Sequence, residues 1–207
     1  MAITNYSELQ TSVTNWLSRT NDTNLIALFP DCITLAESKF NRVLRTRNME
    51  ASASLTPASG VCTLPTDYLE LRRIYIDTDT PIELEYLPPE QFYVKFPILT
   101  NSSISPSRYY TIEGASIILS DQVTTNSVKI LYYQKIPALT ALNTTNWLLS
   151  NHPDIYLYAT LLEAYDIIKN DQQSQKWNAK TIANIEQLMI SDKHGKYAGS
   201  AMRVIAA

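Results

Sequence analysis

Residues 146–168 read NWLLSNHPDIYLYATLLEAYDII, and the reading of this stretch decides the fold. Pro153 fits a first helical position, where a missing N–H costs nothing. Asn151 stands before it as an N-cap, and Asp154 lies in the first turn, near the positive end of the helix dipole. Ile155, Tyr158, Leu161, Leu162, Tyr165 and Ile168 follow at three- and four-residue steps. Leu157 and Ala164 widen the apolar face to about half the circumference, leaving Thr160, Glu163 and Asp166 on the other side. A helix with so broad a face packs on more than one side. The sequence therefore predicts it as the spine of the fold.

Working outward, Lys169-Asn170-Asp171 predicts a corner before a last helix with Trp177, Thr181, Ile185 and Leu188 on one face. Past Ser191 the periodicity fades, and DKHGKYAGSAMRVIAA predicts a flexible tail. That tail keeps Tyr197, Met202, Val204 and Ile205, an apolar content that suits ordering against another subunit. Toward the N-terminus, Asn5 with Glu8 three residues on makes a capping box, followed by Tyr6, Leu9, Val13, Trp16 and Leu17 on a narrow face. Leu25, Ile26, Leu28 and Phe29 form an apolar turn. Pro30 then starts a second helix, whose stripe is Ile33, Ala36, Phe40, Val43 and Leu44 and which is expected to run to about Arg47. Lys39, Arg42, Arg45 and Arg47 load its C-terminal half with positive charge, which complements the helix dipole or offers a surface to a partner.

Between these helices the period changes to two. Met49, Ala51, Ala53 and Leu55 alternate with polar residues up to Pro57-Ala58-Ser59-Gly60, and Val61 to Leu64 is expected to return as a hairpin. Arg73 to Asp77 and Ile82 to Tyr86 read as a second strand pair. Pro88 and Pro89 open a short helix with Phe92 and Phe96, and residues 97–106 read as a loop excursion. Arg108 to Ile112, Ser116 to Leu119 and Ser127 to Tyr133 complete a small antiparallel sheet. The predicted class is α+β: a four-helix framework interrupted by a small antiparallel β-rich insertion and ending in a flexible C-terminal tail. Residues 1–48 supply the first framework helices, 49–136 the insertion, 137–190 the completing helices and 191–207 the tail.

The 207 residues suffice for one substantial domain or a domain with a large insertion. A formal charge of −3 argues against a dedicated nucleic-acid binder, which needs a basic face. The N-terminus has neither the basic nor the apolar region of a secretory signal, and no apolar run approaches a membrane span. Cys32 and Cys62 stand in unrelated contexts and form no disulfide framework or metal knuckle, which suits a reducing cytoplasm. With four glycines, a phosphate cradle of backbone amides is hard to build, and none of the common catalytic motifs occurs. Glu83 and Glu85 on one strand, with Glu113 and Asp121 at turns, are the carboxylates that a glycoside hydrolase would need; solvated strand edges and turns explain them more simply. Tyr109-Tyr110 and Tyr132-Tyr133 are expected to pack across strands rather than stack on bases. No catalytic, cofactor-binding or metal-binding residue is expected.

Several stretches together resemble the adaptor proteins of tailed bacteriophages, also called head-to-tail connectors. They are LFPDCITLAESKFNRVLRTRNME (28–50), LPTDYLELRRIYID (64–77) and NWLLSNHPDIYLYATLLEA (146–164), with YSELQTSVTNWLSR near the N-terminus and LEYLPPEQF at 84–92 in the same pattern. The order and spacing cover roughly residues 6–188. The resemblance implies a structural virion protein without a cofactor, in which a helical bundle carries a β-rich domain. Copies would form a ring, usually of twelve, under the portal protein at the neck of the virion, after assembly in the host cytoplasm. The ring would extend the channel through which double-stranded DNA slides without sequence-specific binding, and would dock the tail or nozzle protein without touching a membrane. Arg42, Arg45 and Arg47 on the basic helix and Tyr197, Met202, Arg203, Val204 and Ile205 in the tail are the expected partner contacts. Two other roles are a tail-completion or nozzle-proximal ring and, from another class, a virion-carried peptidoglycan hydrolase.

Overall fold

The structure is a computed structural model that describes residues 3–97, 107–121 and 126–197. It divides into two compact units, Met1–Met49 with Ile136–Ala207, and Glu50–Lys135.

The first unit is helical. It contains α1 (Tyr6–Leu17), α2 (Thr23–Ala27), α3 (Phe29–Val43), α5 (Trp147–Asn151), α6 (Pro153–Ile167) and α7 (Asp171–Tyr197). Among the described residues this unit has six helices, α2 and α5 of five residues each, rather than the four-helix framework expected. Helix α6 packs against α1, α3, α5 and α7. Every residue from Ile155 to Ala164 except Tyr158 is buried, including Thr160 and Glu163 on the side expected to be polar. Thr160 Oγ1 donates to the Tyr156 carbonyl at 2.8 Å, and Glu163 is ion-paired with Lys39 of α3, so neither group is buried without a partner. The spine is therefore enclosed on all sides. Its N-terminus also differs from expectation. Asn151 closes α5, which Asn146 caps by accepting from Leu149 N–H at 2.9 Å, and α6 starts at Pro153 with no side-chain cap.

Tyr156, fully buried, is the hub of a polar network in this core. Its hydroxyl donates to Glu37 Oε1 (3.1 Å) and accepts from Asn146 Nδ2 (2.7 Å), while Glu37 Oε1 also accepts from Leu139 N–H (2.8 Å). Asn146 Nδ2 reaches the Pro137 carbonyl as well (2.7 Å), so the network fastens the connection 137–146 to α3 and α6. Burial raises the Glu37 pKa, against the lowering effect of these hydrogen bonds, and burial likewise raises the Tyr156 pKa. The Phe40 and Tyr156 rings pack edge-on at 5.1 Å.

Other local expectations meet the structure in detail. Asn5 caps α1 through Glu8 N–H, while the Glu8 carboxylate reaches back to Thr4 rather than to the cap residue. Trp177, Thr181, Ile185 and Leu188 are all buried on α7. Helix α7 continues to Tyr197, so residues 191–197 of the expected tail are helical; residues 198–207 lie outside the described residues, as do 98–106 of the expected loop excursion. Val43, expected in a buried stripe, is exposed.

Among the described residues, the second unit holds two four-stranded sheets that share one hydrophobic core. Its strands are β1 (Glu50–Leu55), β2 (Val61–Thr63), β3 (Tyr68–Ile76), β4 (Ile82–Glu83), β5 (Glu85–Tyr86), β6 (Tyr109–Glu113), β7 (Ser116–Leu119) and β8 (Val128–Gln134), with the short α4 (Pro89–Lys95). The sheet orders are β1-β8-β3-β4 and β2-β7-β6-β5. The expected β1–β2 hairpin does not form: β1 pairs with β8 in one sheet and β2 with β7 in the other. Ser59 (φ 50°) and Gly60 (φ 75°) turn the chain between them, and Leu119 N–H takes the Gly60 carbonyl at 2.8 Å, which commits β2 to the second sheet. Nor is the unit wholly antiparallel. Leu84, buried between β4 and β5, marks the crossing from one sheet to the other, and β5 joins β6 in parallel.

Candidate partner interface

The predicted cations come first. Helix α3 stops at Val43 because Leu44 turns to extended backbone (ψ 134°), four residues short of the expected end. Arg45 Nη1 then donates to the Asn41 and Leu44 carbonyls (2.9 and 2.6 Å), two of the acceptors that a helix end leaves open. Arg42, still on the helix, donates from Nε to the Ser38 carbonyl (3.2 Å). Arg47 lies in a 3-10 turn, where its backbone N–H and Nε reach Asp192 Oδ1 (3.2 Å each) and Nη1 reaches the Gly195 carbonyl (3.0 Å). A β-carbon at position 195 would collide with the Arg47 guanidinium, so glycine permits this approach. The basic run is thus spread over a helix, an extended link and a turn. Arg42 stands with Leu35 and Val43 on the exposed side of α3. Met202, Arg203, Val204, Ile205 and the side chain of Tyr197 lie outside the described residues.

A second feature of the helical unit carries more shape. At the end of α1 and the α6–α7 corner, Trp16, Leu17, Arg19, Tyr165, Trp177, Lys176 and Lys180 help to frame a recess of ≈500 Å³. The local chain dictates the corner. Ser18 (φ 53°) and Lys169 (φ 58°) take left-handed backbone just past the ends of α1 and α6, and Asn170 Oδ1 accepts Gln173 N–H (3.2 Å) as α7 begins. Trp177 meets Trp16 edge-on at 5.4 Å and Tyr158 at 5.3 Å. Lys180 Nζ stands 4.7 Å from the Trp177 ring and 5.3 Å from Tyr158, and Lys176 Nζ 5.2 Å from Trp177. Arg19 pairs with Asp22 (3.4 Å), but neither lysine has a carboxylate at ion-pair distance among the described residues. Trp16, expected in the buried stripe, is 51% exposed. Sequence reading missed this site, although Lys180 lies three residues after Trp177 and four after Lys176, the spacings at which helix side chains neighbour one another.

In the β-rich unit, the outer face of the first sheet forms a recess of ≈450 Å³ lined by Ser52, Ser54, Arg73, Tyr75, Lys129 and Leu131, among others. Its cations are paired: Arg73 with Glu83, Lys129 with Asp77 (2.8 Å) and, nearby, Arg72 with Glu50. Helix α4 buries Phe92 and Phe96 and turns Glu90, Tyr93 and Val94 outward, with Val94 84% exposed. The carboxylates considered for hydrolysis are spread out. Glu83 and Glu85 fall in different sheets, Glu113 hydrogen-bonds the Tyr93 hydroxyl, and Asp121 is buried, its backbone N–H donating to Ser107 Oγ (3.0 Å). Tyr110 packs on Tyr86 (5.6 Å) and Tyr132 on Tyr68 (5.9 Å), the cross-strand role expected of the tyrosine pairs.

Among the described residues no group of three His, Cys, Asp or Glu side chains is placed to hold a metal ion, and no helix is long and apolar enough to cross a membrane. No curated protein matches the chain. The sequence model of one family, described as SU10 adaptor protein, matches residues 4–204, nearly the whole length. The chain belongs to this family of phage adaptor proteins, and is a structural component of the virion.

Proposed function

We propose that the protein forms a homo-oligomeric ring, of twelve copies, beneath the portal, extends the DNA channel and presents the docking surface for the tail or nozzle protein. The observation that carries this reading is the family match across both structural units. Two physical features support it. Most of the polar and cationic groups described above are spent on capping and ion pairs, as in a protein whose work lies in its surfaces. The β-rich unit carries ten Asp and Glu against six Lys and Arg, a formal −4, and such a surface lets DNA phosphates slide past without holding them. In this reading the protein catalyses no reaction and takes no cofactor. Arg42, Arg45 and Arg47 and the segment from Tyr197 to Ile205 contact the portal or a neighbouring subunit.

The test is to mix the purified protein with the portal ring from the same genome and image the mixture by electron microscopy. The expected result is an added collar with the portal's symmetry, absent from the portal alone. An intact portal left bare by a folded protein would overturn the assignment and move the protein to a ring further down the tail. A zymogram on purified cell wall checks the non-enzymatic part; clearing that Glu83→Gln or Glu85→Gln abolishes would contradict it.

A further inference from the structure

A closed ring of identical subunits needs a heterologous contact, in which one patch of each copy meets a different patch of the next. Two patches on this chain have the complementary chemistry. The first is the recess framed by Trp16, Arg19, Lys176 and Lys180. Its lysines lie over indole and phenol rings without a carboxylate partner, and Trp16 is half exposed. The buried Trp177 indole N–H has no hydrogen-bond partner among the described residues. Aromatic and arginine side chains around a water-excluding recess are the residue types that dominate interface energetics. An acidic group would neutralise the lysines while an apolar one covers Trp16.

The second patch is the outward side of α4. Pro88 and Pro89 fix the start of this helix, while Phe92 and Phe96 hold its other side in the β-rich unit. That leaves Glu90, Tyr93 and Val94, at helical spacings of three and four, as one protruding acidic and apolar face. Val94 at 84% and Tyr93 at 43% exposure contribute little to the core of their own subunit. The Tyr93 ring is held edge-on to Phe92 (5.5 Å) and its hydroxyl to Glu113, so the patch is presented in a set shape. Lys95, the cation of this helix, is drawn away over the Tyr109 ring (3.6 Å). The whole-unit charges agree in sign. The β-rich unit is −4, whereas the helical residues carry eleven Lys and Arg against ten Asp and Glu.

We propose that the Glu90–Tyr93–Val94 face of one copy docks in the Trp16–Arg19–Lys176–Lys180 recess of the next, as the anchor of the subunit contact in the ring. The inference rests on the ring reading above. Glu90 meets Lys176 and Lys180, and Val94 and Tyr93 cover the exposed Trp16. The remaining interface adds area around this anchor, because a stable contact buries about 800 Å² on each side.

The test is a charge swap scored by collar formation on the portal. Lys176→Glu with Lys180→Glu should prevent the collar. Adding Glu90→Lys to the same chain should restore it, and Glu90→Lys alone should be defective. All three side chains are exposed, and circular dichroism would verify that each variant is folded. In parallel, Gln173→Cys protein mixed with Val94→Cys protein should be joined by a short bismaleimide in the collar, since the native Cys32 and Cys62 are buried. A collar that survives the lysine reversal, a reversal that Glu90→Lys does not repair, or the absence of cross-linked dimer would each overturn the pairing while leaving the ring intact. A wild-type protein that forms no collar would instead sink the ring reading itself.

Discussion

Replacing Tyr156 by Phe removes one oxygen from the centre of the helical unit and leaves the ring packing against Phe40 in place. The hydroxyl makes two hydrogen bonds, donating to Glu37 and accepting from Asn146. Loss of a bond to a carboxylate costs about 1.5–3 kcal/mol and loss of a neutral one about 0.5–1.5 kcal/mol. Asn146 Nδ2 keeps the Pro137 carbonyl and Glu37 keeps Leu139 N–H, so neither partner is stranded. The expected destabilisation is therefore about 2–4 kcal/mol. All three tryptophans, Trp16, Trp147 and Trp177, belong to the helical unit, so their fluorescence during urea unfolding follows that unit directly. The midpoint should fall while the slope stays unchanged. A double-mutant cycle with Glu37→Gln should return a coupling between the two sites of about 1 kcal/mol or more. A destabilisation below about 0.5 kcal/mol, the scale of a surface substitution, would refute the network as a source of stability.

Burial raises the Glu37 pKa in the folded state, so between its unfolded and folded pKa values the native protein binds more protons than the unfolded chain. Its contribution to stability therefore falls as pH rises through that window, and Glu37→Gln should remove this component; an unchanged pH profile of the urea midpoint would contradict it. Leu161→Ala, at a fully buried site, should cost about 2–5 kcal/mol, and Tyr158→Ala, at a half-buried site, should cost less; the reverse order in urea unfolding would contradict the enclosure of α6. Burial pushes the Cys32 and Cys62 thiols up to about 11, so a thiol reagent at neutral pH should label neither until urea unfolds the protein. Truncation after Ile190 removes Asp192 and Gly195, the partners of Arg47. Because the Arg47 end of that pair is exposed, the loss should be within about 1 kcal/mol, and a larger one would give the last turns of α7 a structural role beyond it.

The sequence by itself determined what short-range chemistry decides. Pro153 starts a helix because its ring fits that position whatever surrounds it, and Asn5 caps α1 through an amide three residues away. The face Trp177, Thr181, Ile185 and Leu188 was legible because the helical period lines those residues up before anything packs on them. Tertiary structure decided which strand pairs with which. Alternation says which face of β1 is buried but not that its neighbour is β8, more than seventy residues on, rather than β2. It also decided where α3 stops and what Arg47 does, since Asp192 is 145 residues away. The exposure of Trp16 beside Lys176 and Lys180 belongs to the same class: that recess exists only where the end of α1 meets the α6–α7 corner. Glu163 shows the reason most plainly. Its spacing marks it as a solvent-facing residue, and it is buried because Lys39, from a helix more than a hundred residues earlier, arrives to neutralise it.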